Sequence, residues 1–183
     1  PASASSASVT PSTVPGAPVS VGGSPADSGQ VKVSWTAPAD NGGSAITVYT
    51  VTATPGGATC TTASTSCTVG GLVNGTAHTF SVVATNAAGD GPPAATSTAA
   101  TVTPRTTPGA PTAVSGVGGN TQVTVSWTAP GNNGGSAITG YTVTAAPGGA
   151  TCQTTDSTSC TVVGLTNGTA YTFSVVATNA AGD

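Results

Sequence analysis

The chain has 183 residues, of which 4% are charged, with 26 Gly, 14 Pro, no Met and a formal net charge of −3. Globular chains carry about a quarter charged residues; here the cations are Lys32 and Arg105, the acids are all Asp, and His78 is the single histidine. This composition excludes a basic face for nucleic acid or anionic lipid and leaves few acid–base groups for an enzyme. No apolar run is long enough to insert in a membrane as a helix, while a hydrophobic content of 37% is enough to bury a core.

In chain order, a Pro-rich segment around Pro11–Pro18 leads into alternating apolar runs. Val31, Val33 and Trp35 face one way, with Lys32 and Ser34 facing the other. Tyr49, Val51 and Ala53 then alternate with Thr50, Thr52 and Thr54, and His78, Phe80, Val82 and Ala84 alternate with Thr79, Ser81, Val83 and Thr85. Period two with one apolar side marks half-buried antiparallel strands. Asn41-Gly42-Gly43, Pro55-Gly56-Gly57 and Asn74-Gly75 punctuate them as turns. No segment sustains a helical period.

The pattern then repeats. Val33–Pro38 returns as Val125–Pro130, Gly42–Thr47 as Gly134–Thr139, and Phe80–Asp90 as Phe173–Asp183. Units of about 92 residues each fit one small all-β domain, and seven short strands with this punctuation predict an antiparallel β-sandwich. The expected layout is a strand and linker over 1–14, a first domain over 15–104 and a second over 105–183.

Each unit resembles a fibronectin type III domain of the kind found in bacterial secreted proteins. The resemblance runs from Pro15-Gly16-Ala17-Pro18, through Trp35 or Trp127 and Tyr49-Thr50-Val51, to the Leu-x-Asn-Gly-Thr-x-Tyr-x-Phe-x-Val-x-Ala-x-Asn-x-x-Gly run at Leu165–Gly182. It implies an immunoglobulin-like sandwich with the tyrosine corner at Tyr171. His78 stands at that place in the first unit, whose corner must be held differently. For function the resemblance implies only a general spacer and binding scaffold.

Each unit holds two Cys, Cys60 with Cys67 and Cys152 with Cys160. The repeat favours one disulfide per unit. Zinc is the competing ligand for these thiols, but neither pair has His or acidic companions. Disulfides place the chain in an oxidising, extracellular or cell-surface setting.

The two ends of the sequence match each other. Val9–Pro18 parallels Val102–Pro111, so residues 1–14 read as a last strand plus linker. Asp183 parallels Asp90, so the second domain reads as lacking its own last strand. One expectation is a head-to-tail filament in which Ser3, Ser5, Ala7 and Val9 of one copy complete the second domain of the next. The alternative is a spacer or adhesion region of a larger secreted enzyme or adhesin, built as a covalent array, and a truncated piece without assembly meaning is a third. Pro1 is no initiator Met, which fits a processed product or part of something longer.

Other residues invite sharper readings that the repeat weakens. A triad of His78 with Asp40 or Asp90 fails because Tyr171 and Asn132 replace His78 and Asp40 in the second unit. One carboxylate in Asp40–Gly43 is too few for Ca²⁺. Trp35, Trp127, Tyr49 and Tyr141 sit on the inward phase and read as core rather than as sugar-stacking rings. The outward Thr50, Thr52, Thr54, Thr142 and Thr144 match the spacing of ice-binding arrays, but β-propensity explains them. Asn74-Gly75-Thr76 and Asn167-Gly168-Thr169 fit a glycosylation sequon and also a turn. The sequence thus predicts a non-enzymatic structural protein without cofactor or metal. Its expected partners are copies of itself, with no nucleic acid and no membrane insertion. Carbohydrate or a host surface remains open, with no residue pattern to support it.

Overall fold

The computed structural model describes residues 10–94 and 101–183. The chain divides into two compact units, Pro1–Pro104 and Arg105–Asp183. Both are all-β sandwiches.

Unit 1 contains β1 (Val19–Pro25), β2 (Val31–Thr36), β3 (Val48–Thr54), β4 (Thr59–Thr62), β5 (Ser66–Val69), β6 (Thr79–Asn86) and β7 (Gly89–Asp90). One sheet has the order β1-β2-β5 and the other β4-β3-β6-β7. Unit 2 repeats this with β8 (Thr112–Gly119), β9 (Gln122–Thr128), β10 (Ile138–Ala146), β11 (Thr151–Thr154), β12 (Ser159–Val163) and β13 (Thr172–Asn179). Its sheets are β12-β9-β8 and β11-β10-β13, and every pairing in both units is antiparallel.

The period-two pattern fixes which side of each strand is buried. Val31, Val33 and Trp35 on β2 alternate with exposed residues, and Tyr49, Val51 and Ala53 on β3 face Phe80, Val82 and Ala84 on β6 in the same core. In unit 2 the core is Val125, Trp127, Tyr141, Val143, Val162, Leu165 and Ala177 with their neighbours. Each fully buried valine contributes about 1.5–3 kcal/mol, and a slip of one residue would turn the whole set outward. Register is therefore set by the valines.

The first strand of each unit carries a bulge. Val19 pairs with Thr36 and Gly22 with Ser34, leaving two residues against one, and Ser20 takes a φ of 54°. Ala113 repeats this at φ 51°, between the pairs Thr112–Thr128 and Ser115–Ser126. A left-handed non-glycine residue is the ordinary signature of strain at a bulge.

Each unit also clamps the linker that precedes it. Asn86, buried at the end of β6, donates through Nδ2 to the carbonyls of Thr13 at 2.7 Å and Asn41 at 2.8 Å, while its Oδ1 accepts the Ala88 N–H at 2.9 Å. Asn179 makes the same bonds to Thr106 (2.8 Å), Asn133 (2.7 Å) and Ala181 (2.7 Å). Glycine makes room for the linker: at Gly42, with φ +71°, a Cβ would collide with the Thr13 carbonyl, and at Gly134 with that of Thr106. Replacing Asn86 or Asn179 by Ala strands these carbonyls and an amide, and is expected to destabilise the affected unit by about 2–3 kcal/mol. Calorimetry with separate transitions for the two units checks this; loss of stability in both, or in neither, contradicts the clamp.

Candidate functional site

With so few charges, chemistry-bearing residues are scarce, and most of them serve the fold. Trp35 and Tyr49 are buried with ring centroids 5.3 Å apart at 60°, and Trp127 and Tyr141 repeat the pair at 5.3 Å and 57°. None of the four offers a face to a ligand. Burial alone raises the Tyr49 phenol above its ordinary value of 10.0.

His78 and Tyr171 occupy the same place in the repeat and do different work. The Tyr171 hydroxyl accepts the Thr166 N–H at 3.1 Å, pinning the loop before β13. His78 is 3% exposed and turns the other way: its Nδ1 lies 3.0 Å from the Pro55 carbonyl. A carbonyl only accepts, so Nδ1 carries the proton. Its Nε2 is buried with no partner among the described residues. Unit 1 holds the equivalent loop through other groups, with Gly75 N–H donating to the Pro104 carbonyl at 3.0 Å.

The sequon asparagines are also structural. Asn74 Oδ1 accepts the Gly29 N–H at 2.8 Å, and its Nδ2 donates to Ser28 Oγ at 2.9 Å. Asn167 binds Thr121 and Asn120 in the same way, at 2.9 and 2.8 Å. Each ties the loop before β6 or β13 to the β1–β2 or β8–β9 turn, a role the Asn-Gly-Thr spacing could not reveal. Asp40 Oδ1 caps Gly42 N–H at 2.8 Å and Asn132 Oδ1 caps Gly134 N–H at 2.9 Å, so this loop is built as a turn whether or not it carries a carboxylate. No cluster of three or more His, Cys, Asp or Glu suited to a metal occurs among the described residues.

The four cysteines form Cys60–Cys67 and Cys152–Cys160, with Cα atoms 6.3 and 6.1 Å apart. Cys60 lies on β4 and Cys67 on β5, which belong to different sheets, so each bridge ties the two layers together at one edge. The outward threonines line a shallow polar groove in unit 2, with Thr139, Thr142, Gln153, Thr155 and Thr178 around it. Ser3, Ser5, Ala7 and Val9 lie outside the described residues.

A further difference separates the two units. In unit 1, described residues after β7 bond the backbone of β6 and of His78 just before it: Gly91 N–H donates to the Ala84 carbonyl (2.8 Å), Ala94 N–H to that of Val82 (2.7 Å), and Val102 exchanges both backbone bonds with His78 (3.0 and 2.9 Å). Ala94 and Val102 are buried in the core. Among the described residues nothing occupies the matching place beside β13. Phe173 and Tyr171 are left half-buried there, whereas Phe80 and His78 are buried in unit 1.

The sandwich topology agrees with the family match: the model of the fibronectin type III domain matches residues 16–100 and 107–183. The chain belongs to the fibronectin type III family. Exoglucanase A of Cellulomonas fimi is 44% identical over 186 residues, taking in 97% of this chain and 21% of that protein. The chain thus spans about a fifth of the curated relative it matches. Among solved structures, titin kinase with its flanking domains is 33% identical at a TM-score of 0.41, covering 45% of this chain and 16% of that one. The chicken CNTN1 FN1–FN3 domains are 23% identical at a TM-score of 0.48, covering 93% and 65%. Both units are fibronectin type III domains, and no catalytic domain lies among the described residues.

Two outcomes follow for these fibronectin type III units. Replacing Cys60 and Cys67 together by Ser should cost about 2–3 kcal/mol, the loop-closure value for a bridge of this span, measured by urea denaturation against the reduced and oxidised parent. The raised Tyr49 phenol means the folded state holds its proton more tightly. Stability from this group is intact below pH 10.0, the ordinary value, and is lost as pH climbs through the raised one. A denaturation series from neutral to alkaline pH on Tyr49→Phe, compared with the parent, should show the variant losing less.

Proposed function

We propose that this chain is a non-catalytic spacer, a pair of fibronectin type III domains that separates other parts of a larger secreted protein acting on polysaccharide. The observation that carries this reading is the match to Exoglucanase A: near-complete coverage of this chain falls on 21% of that protein. The physical properties support it. Trp35, Trp127, Tyr49 and Tyr141, the rings weighed for stacking on a sugar, are buried, the surface carries few charges, and disulfides suit an oxidising extracellular compartment. The linker supports it too. Pro104 is bonded into unit 1 through Gly75, and Thr106 into unit 2 through Gly134 and Asn179, which leaves Arg105 alone between them.

A second reading, a cell-surface filament of head-to-tail copies, is supported by the return of the Val102–Pro111 pattern at Val9–Pro18. Both readings make a string of domains, and they differ in whether the joints between them are covalent.

The spacer reading is tested by incubating the purified chain with insoluble glucans. The expected result is no released sugar and no more protein in the pellet than for an unrelated β-sandwich of similar charge. Saturable retention or released reducing ends would replace the spacer with a binding module or an enzyme.

A further inference from the structure

We propose that the loop Asp40-Asn41-Gly42-Gly43 is a self-modifying site, at which the Gly42 nitrogen attacks the Asn41 side chain with Asp40 as the base. Asn41 thereby becomes aspartate or isoaspartate, and unit 1 slowly releases the linker it clamps. The groups this reaction needs stand in consecutive residues. Asp40 Oδ1 accepts the Gly42 N–H at 2.8 Å, so a carboxylate already rests on the proton that must leave. Asn41 Oδ1 accepts the Gly43 N–H at 3.0 Å, which places a donor where negative charge builds on the amide under attack. Gly42 has no side chain to shield its nitrogen. Asn41 is exposed, so ammonia departs into solvent and water can enter.

The step balances with water as the only co-reactant. The bond from Gly42 N to Asn41 Cγ forms, and the N–H proton passes to the Asp40 carboxylate. The Cγ–Nδ2 bond then breaks, ammonia carries that proton away, and Asp40 is a carboxylate again. Water opens the resulting cyclic imide at either carbonyl. Opening at Cγ N–C frees a side-chain carboxylate and gives aspartate. Opening at the other carbonyl gives isoaspartate, with the main chain rerouted through Cβ and Cγ. Both products add a negative charge, and the second also lengthens the backbone.

Unit 2 supplies the comparison. Asn132-Asn133-Gly134-Gly135 makes the same turn, with Asn132 Oδ1 on the Gly134 N–H at 2.9 Å and Asn133 Oδ1 on the Gly135 N–H at 3.0 Å. Asn132 carries a neutral amide where Asp40 carries a carboxylate, so the geometry is kept and the base is missing. The other Asn-Gly pairs are committed elsewhere. Asn74 bonds Gly29 and Ser28, and Asn167 bonds Thr121 and Asn120, which holds both side chains across the fold. In unit 1 the consequence falls on the clamp. The Asn41 carbonyl accepts Asn86 Nδ2 at 2.8 Å, and the Gly42 carbonyl accepts the Thr13 N–H at 2.9 Å. Isoaspartate turns the first carbonyl into a carboxylate off the main chain and shifts the second. The linker preceding unit 1 is then loosened, while the one preceding unit 2 stays held. This inference does not rest on the spacer reading.

Peptide mapping by mass spectrometry of the full chain, aged in warm neutral buffer, tests it by reading conversion at each Asn-Gly pair. Asn41 should convert at least about tenfold faster than Asn133, a part of what a positioned general base contributes. Asp40→Asn gives unit 1 the residue with which unit 2 already makes this turn, and it should bring Asn41 down to the Asn133 rate. Asn132→Asp should raise the rate at Asn133. In concentrated urea the two sites should convert alike, because the positioning is lost. Calorimetry of the aged chain should show the unit 1 transition lowered and the unit 2 transition unchanged. Equal rates at the two sites in the folded chain, an Asn41 rate that Asp40→Asn leaves intact, or a difference that persists in urea would each overturn the role of Asp40. An aged unit 1 that melts as fresh material does would overturn the release of the linker.

Discussion

Backbone hydrogen-bond pairing is the constraint on which this protein depends. A chain with 4% charged residues has almost no ion pairs with which to orient its parts. Buried backbone groups must nevertheless be paired, because an orphaned amide or carbonyl costs as much as a lost hydrogen bond. The side-chain contacts that matter here serve that need. Asn86, Asn179, Asn74 and Asn167 all end on backbone groups, and so do His78 and Tyr171.

The two units show what happens when the pairing is complete and when it is not. Beside β6, Val102 and Ala94 satisfy the edge and close the core over Phe80. Beside β13 the same sequence of side chains stands half-open, although the strand, the valines and the disulfide are equivalent. Local sequence is therefore sufficient for the sandwich, while in unit 1 the residues that close it over the core are Ala94 and Val102.

Linker and domain form one hydrogen-bonded structure. Glycine at 42 and 134 lets the linker backbone lie against the loop, and the buried asparagine holds it there. Thr13 and Thr106 are thus integral to the domains they precede. The cysteine bridge acts at the opposite need, tying the short β4 and β11 edges to the facing sheet, where few apolar side chains are available to hold the layers.

The sequence by itself determined the sandwich, the strand phases and the repeat, because period-two burial and Gly-rich turns are local signals that survive without tertiary context. Val31, Val33, Trp35, Tyr49 and Phe80 all face the core that their alternation predicts. The family was legible for the same reason. Tertiary structure alone decided what the polar residues do. Asn74 sits in a turn by sequence, yet its amide bonds Ser28 and Gly29 across the fold, because the partner lies far along the chain and brings no spacing rule with it. His78 stands where Tyr171 does in the repeat, and only packing turned its ring toward Pro55.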